Sequence, residues 1–288
     1  MPHQPLVPTI RRRRLGATLR KLRTDAGLTL EEAADAMGWQ PPKLSKIENA
    51  RQKIQPAQVL TLLEMYGITD AQVFGAMESL ARDADKKGWW QTYSAIISAS
   101  YADYISLEDD AERIWEWSPL IVPGLLQTAD YATETMACSS FSRTSREITA
   151  LAEIRRARQA VLSRPDRPLL FRAIIHEAAL RQRFPGRPNT MREQLRRLVE
   201  VARFPNVTLQ VMPLASPAHP GIVGGFGVVG FPAPAAELVA LENLRGSTYF
   251  EGEEAAPFID AMERISAAAL SVQDSLARLS ALEEGQRV

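Results

Sequence analysis

Cysteine and histidine are nearly missing from this 288-residue chain, which has one Cys and three His. A lone Cys138 cannot form an intramolecular disulfide framework, and such scarcity fits a reducing, cytoplasmic setting. The same shortage leaves too few of the usual ligands for a zinc site. No stretch approaches the roughly 20 consecutive apolar residues of a membrane span. Net charge is lacking too, since 34 Lys and Arg offset 34 Asp and Glu. A G-x-S-x-G elbow, a Walker loop and a dinucleotide fingerprint are absent, as are internal repeats and low-complexity segments. What remains is an apolar fraction of 45%, enough for a sizeable core, in a length that suits two domains.

The most informative stretch is Leu30 to Asn49, LEEAADAMGWQPPKLSKIEN. Its spacing predicts a helix, a tight turn and a second helix. Ala34 lacks bulk, so the second helix can approach the first. Gly38 falls where the chain must reverse, and glycine enters a left-handed backbone without steric cost. Leu44 and Ile47, three apart, share one face and pack back onto the first helix. Lys43, Ser45, Lys46 and Asn49 are left for the outside, as in a helix-turn-helix that reads DNA. Leu15, Leu19, Leu22 and Ala26 form a preceding stripe stopped by Gly27. Thr29 and Glu32 make a capping box. Val59, Leu62, Leu63 and Tyr66 mark a fourth helix ended by Gly67, and Thr69 with Gln72 is expected to open a fifth.

Ala34, Gly38, Leu44, Ile47 and the run SKIEN at 45 to 49 resemble the Xre family, the phage repressor and Cro type of helix-turn-helix. The resemblance covers about residues 11 to 84 and implies an all-α, five-helix domain that binds double-stranded DNA. Two positions depart from it. Ala50 stands where the family usually has glycine, so a looser or shifted turn is expected. Pro41 and Pro42 occupy the first turn of the recognition helix, where the family often carries polar side chains. Proline suits a helix start, but it cannot donate a hydrogen bond, which limits it to apolar contact such as a thymine methyl. Polar base contacts are therefore expected from Gln40, Lys43 and Lys46, with Ser45 on the same face. Asn49, Arg51 and Lys53 are expected to hold phosphates.

Charge supports that assignment over a helical protein-interaction module. Up to residue 60 there are eleven Lys and Arg against five Asp and Glu, so the remainder of a neutral chain is acidic. The first ten residues, MPHQPLVPTI, show no signal-peptide pattern and read as a flexible arm. Arg11 to Arg14 form either a phosphate- or minor-groove-seeking extension or the solvated start of the first helix. RDADKKG at 82 to 88 reads as a hinge, placing the second domain at about 85 to 288.

That second domain is expected to be a mixed α/β fold, making the chain α+β overall. Thr128 caps a short helix over ADYATETMA, and Leu151, Ile154, Ala157 and Val161 mark a longer one. LLFRAII has the length of a buried strand. HEAALRQRF and TMREQLRRLVEVARF read as helices, VTLQVMPL, GGFGVVGF and ELVALENL as strands, and TYFEG as a further strand. One final helix is expected from about Ala255 to Leu282. An aromatic-rich entry includes Trp90, Tyr101, Trp115 and Trp117, which either line a pocket or partner surface or pack the core. Arg155 and Arg158 belong to arginine-rich segments that suit an anionic ligand or acidic partner, or simply a solvated helix face.

The segments ISLEDDAERI, VPGLLQTADYA, RRARQAVL, HEAALRQRF, NVTLQVMPL and HPGIVGGFGVVGFP, in that order, resemble the C-terminal domain of WhiJ-like actinobacterial developmental regulators. That resemblance implies a small partner protein. His176-Glu177 and Cys138 are the only residues of catalytic type that draw notice, and the chain is expected not to be an enzyme. No cofactor and no metal are expected. The sequence thus points to a cytoplasmic, sequence-specific transcriptional regulator, a homodimer held mainly by a second domain that senses a partner. A ligand-sensing regulator and a protein-interaction module without DNA are the alternatives.

Overall fold

The computed structural model describes residues 9–86, 88–138, 144–243 and 246–286. Met1 to Pro8, most of the expected arm, lie outside that set. The fold is α+β, and the chain divides into two compact units. One is Met1–Gln91 with Phe231–Ala236, and the other is Thr92–Gly230 with Glu237–Val288.

The first unit holds five helices: α1 (Ile10–Asp25), α2 (Leu30–Ala36), α3 (Pro41–Glu48), α4 (Pro56–Met65) and α5 (Ala71–Asp83). Their ends follow local chemistry. The Thr29 hydroxyl accepts from the Glu32 N–H while the Glu32 carboxylate accepts from Thr29, so the capping box is closed. Gly27, Gly38 and Gly67 stop α1, α2 and α4 at φ of 73°, 65° and 73°. The fifth helix starts one residue later than Thr69 implied. Asp70 is its cap, because its carboxylate accepts from Gln72 N at 2.7 Å. Leu15, Leu19, Leu44, Ile47, Leu62, Leu63 and Met77 interlock as the core, each at most 2% exposed.

The second unit is a six-stranded sheet with helices. Its elements are α6 (Ala99–Asp110), β1 (Arg113–Ser118), α7 (Ala129–Ala137), α8 (Ser145–Arg158), β2 (Leu170–His176), α9 (Thr190–Val201), β3 (Val207–Met212), β4 (Phe226–Gly230), β5 (Leu238–Asn243), β6 (Gly246–Glu251), α10 (Ala256–Ala268) and α11 (Val272–Gly285). The order is β3-β2-β1-β4-β5-β6. β1, β2 and β3 run parallel, linked by crossovers that carry α7, α8 and α9, while β4, β5 and β6 return antiparallel. One face buries Trp117, Ile174, Met212, Phe226 and Val239 against Met262 and Ile265 of α10. Each edge strand has outward backbone groups taken by a neighbouring segment. On β3, Val211 N donates to Ser275 Oγ and Val211 O accepts from Leu270 N, while Ser247 N on β6 donates to Ser100 Oγ.

Three features differ from the sequence-based expectations. β1 and α6 come from the aromatic-rich entry, where ring content masked an alternation of period two. HEAALRQRF is a tight turn with a 3-10 segment at Ala179–Arg181, because Glu177 and Ala178 accept three residues ahead and Pro185 blocks continuation. The final helix is two helices. Leu270 N turns away to Val211, and Ser271 caps the next start.

Candidate nucleic-acid interface

α3 is fixed from its inner side. Leu44, Ile47 and Glu48 are buried, and Gly16 of α1 lies so close that a Cβ there would meet the Glu48 carbonyl and come 2.8 Å from the Ile47 carbonyl. Arg23 of α1 then grips Glu48 through Nε at 2.7 Å and Nη2 at 3.1 Å, and donates to Leu28 O. That forked hydrogen bond to Glu48 raises the Arg23 pKa, outweighing burial. Neither Gly16 nor the Arg23–Glu48 pair was singled out from sequence. The signal for Gly16 was a glycine inside an apolar helical stripe, where it costs helix stability unless close packing needs it. Beyond α3, Ala50 takes the position expected to loosen the turn. It adopts the left-handed backbone itself, at φ 58°, while 1% exposed.

The outer side carries the candidates. Gln40 is the exposed N-cap of α3 but makes no capping bond with its side chain. Pro41 and Pro42 form the first turn, with Pro42 exposed. Lys43 is half-buried, its ammonium 3.9 Å from the centre of the Trp39 ring, a cation–π contact that orders the side chain. Ser45 is half-buried as well, and its backbone carbonyl accepts from the Asn49 amide at 2.8 Å. Asn49 thereby closes the end of its own helix. Lys46 and Arg51 are exposed, and among the described residues neither makes an ion pair. Lys53 is exposed but pairs with Asp85 at 2.7 Å.

Arg11 and Arg14 are only 5% and 7% exposed, so they are neither a free extension nor a solvated helix start. Burial follows from helix phase: α1 begins at Ile10, and residues 11, 14, 15, 18 and 22 share its inner side. Arg11 donates to Lys86 O at 3.3 Å and lies over the Trp90 ring, and Arg12 pairs with Asp85. Asp85 is held below the usual carboxylate range by Lys53 and Arg12, against the upward push of burial. Residues 85 and 86, which read as linker, are thus tied to α1.

The candidates of the second unit do not gather in one place. Trp90 belongs to the first unit and is 3% exposed. Trp115 and Trp117 point to the α10 face of the sheet, where Trp117 donates to Gly221 O at 2.9 Å. Arg155 donates to the Gln127 side chain. Arg158 and Tyr101 do meet: Arg158 is 5% exposed, holds Glu108 at 2.7 and 2.6 Å, and donates to the Tyr101 hydroxyl at 2.7 Å. Of the catalytic-type residues, Glu177 is fully buried and bound by Arg181 and Arg278. His176 Nδ1 accepts from Ala178 N, and Cys138 is exposed at the end of α7.

A short helix α2, a turn at the left-handed Gly38 and a second helix α3 that turns a polar and basic side outward make a helix-turn-helix, and residues 14–73 match the family described as a helix-turn-helix domain. Residues 101–281 match the family described as a domain of unknown function, DUF5753. That match spans well over half of the chain, so the protein belongs to the DUF5753 family. No curated protein and no solved structure matches it. Among the described residues no helix is long and apolar enough to cross a membrane.

Proposed function

We propose that the protein is a cytoplasmic, sequence-specific transcriptional regulator of the Xre type that acts without catalysis. The observation that carries this reading is α3, buried through Leu44, Ile47 and Glu48 and exposed through Lys46, followed by exposed Arg51. A helix held rigidly from one side can present its other side to a major groove in one register. Lys46 and Gln40 then address base edges, and Arg51 and Lys53 address phosphates. The experiment is selection of a binding sequence with the full chain, then anisotropy titration at rising salt. The logarithm of affinity should fall linearly with the logarithm of salt, by about 0.9 per phosphate neutralised. Salt-independent binding would instead favour a protein-interaction module.

We infer further that the second unit carries assembly and response. It has roughly twice the length of the helix-turn-helix unit, far more than a dimerisation helix needs. The WhiJ-like resemblance favours a small protein partner, and one small DNA-binding module gains affinity by pairing on two half-sites. The homodimer should protect half-sites about one or two helical turns apart. A chain that sediments as a monomer and footprints a single half-site refutes the dimer without touching DNA binding itself.

A further inference from the structure

Pro42 puts a bare apolar ring at the leading end of α3, on the side turned away from the core. It is exposed, and helix phase sets it on one stripe with Lys46 and Asn49, four and seven residues on, which are exposed as well. Pro41 is half-buried and shares the phase of the buried Leu44 and Glu48. Of the two prolines, Pro42 is therefore the one that faces outward.

This turn has no hydrogen-bond donor to offer. Proline lacks an N–H, so the first two backbone donors of α3 do not exist, and the third, Lys43 N, donates to Gln40 O at 2.9 Å. The Lys43 charge is engaged too, its ammonium 3.9 Å from the centre of the Trp39 ring. The Pro42 ring is also rigid. Proline fixes its own φ, and α3 is held to α1 by the close approach of Gly16 and by the Arg23–Glu48 pair. A fixed ring without donors or acceptors can select only by apolar contact. The one apolar group that a base pair presents in the major groove is the C5-methyl of thymine, which 5-methylcytosine carries at the same carbon.

Resting on the reading of α3 as the recognition helix, we propose that Pro42 selects a pyrimidine 5-methyl group and reads the methyl alone. Thymine and 5-methylcytosine then give Pro42 the same contact, because its ring cannot tell the O4 acceptor of one from the N4 donor of the other. Four residues of helix set Pro42 roughly 6 Å from Lys46 along the axis. The methyl accordingly lies about one or two base pairs from the pair that Lys46 contacts.

The test uses the duplex that the full chain selects from an unmethylated random pool. Each thymine is replaced in turn by deoxyuridine, which removes one methyl and keeps every hydrogen bond. One replacement, within about two base pairs of the position where Lys46→Ala relaxes specificity, should weaken binding about three- to fivefold, the effect of one buried methyl. Pro42→Ser, at an exposed position and checked for folding by circular dichroism, should bind the thymine and uracil duplexes alike. Lys46→Ala should keep the difference. Changing that pair to cytosine–guanine should weaken wild type, and 5-methylation of the cytosine should recover about three- to fivefold. The uracil and 5-methylcytosine arms use wild-type protein, so they hold whatever the variant does. The proposal is overturned if no thymine near the Lys46 position responds to uracil, if folded Pro42→Ser keeps the discrimination, or if 5-methylcytosine binds no better than cytosine. Those results leave sequence-specific binding standing. A chain that selects no duplex overturns the recognition-helix reading and this proposal together.

Discussion

The Arg23 guanidinium closes on both oxygens of Glu48, at 2.7 and 3.1 Å, and so locks the recognition helix α3 to α1. Both side chains are nearly out of solvent, 11% and 3% exposed. The last turn of α3 is therefore aimed by an ion pair, and Lys46, two residues earlier, inherits that aim.

Removing one partner of this pair leaves a buried charge alone. Glu48→Ala should destabilise the helix-turn-helix unit by about 3–5 kcal/mol in urea unfolding. The double variant Arg23→Met with Glu48→Leu should recover most of that loss, since an apolar pair of similar volume carries no desolvation cost. A single variant as stable as wild type would show that the pair is idle.

Lys46 and Arg51 should separate base readout from phosphate attraction. Lys46→Ala should cost about 1–3 kcal/mol on the selected site and relax specificity there. Arg51→Ala should weaken selected and random DNA alike and flatten the salt slope. Equal weakening of both DNAs by K46A would remove Lys46 from base recognition.

Ala50 occupies a left-handed position that glycine would take without strain. Ala50→Gly should be tolerated within about 1 kcal/mol, because relief of strain offsets the loss of a buried methyl group. Ala50→Val, β-branched and crowded at 1% exposure, should destabilise by about 2 kcal/mol or more. Thermal unfolding of the two variants side by side checks the order.

Glu116 gives the second unit a pH signature. Its folded pKa of about 8 lies above the ordinary carboxylate value of 4.5, owing to burial and then to Glu242 and Glu108. Between those values the unfolded chain has lost the proton and the folded chain keeps it. The Glu116 contribution therefore falls as pH rises from about 4.5 to 8, then levels off. Glu116→Gln should gain stability relative to wild type across that window and show a constant difference above it. A wild-type minus variant difference that is flat from pH 5 to 8 would contradict the raised pKa.

The helix-turn-helix was legible because its signals are local. A capping box, a left-handed glycine and a period of 3.6 depend on residues within about four positions, and Thr29, Gly38, Leu44 and Ile47 behave as their spacing implied. Exposure of Lys46 follows from the same phase. Distant partners decided the rest. Glu48 turned inward because Arg23 waits 25 residues earlier, and Arg158 left the surface for Glu108, 50 residues away. The last helix broke where Val211 offered a free edge carbonyl to Leu270 N. RIWEWS became a central strand only because β2 and β4 flank it, turning Glu116 toward one face and the two tryptophans toward the other. Helix periodicity is written in neighbouring residues, whereas a strand's place in a sheet and the pairing of a buried charge are settled by chain segments that meet only on folding.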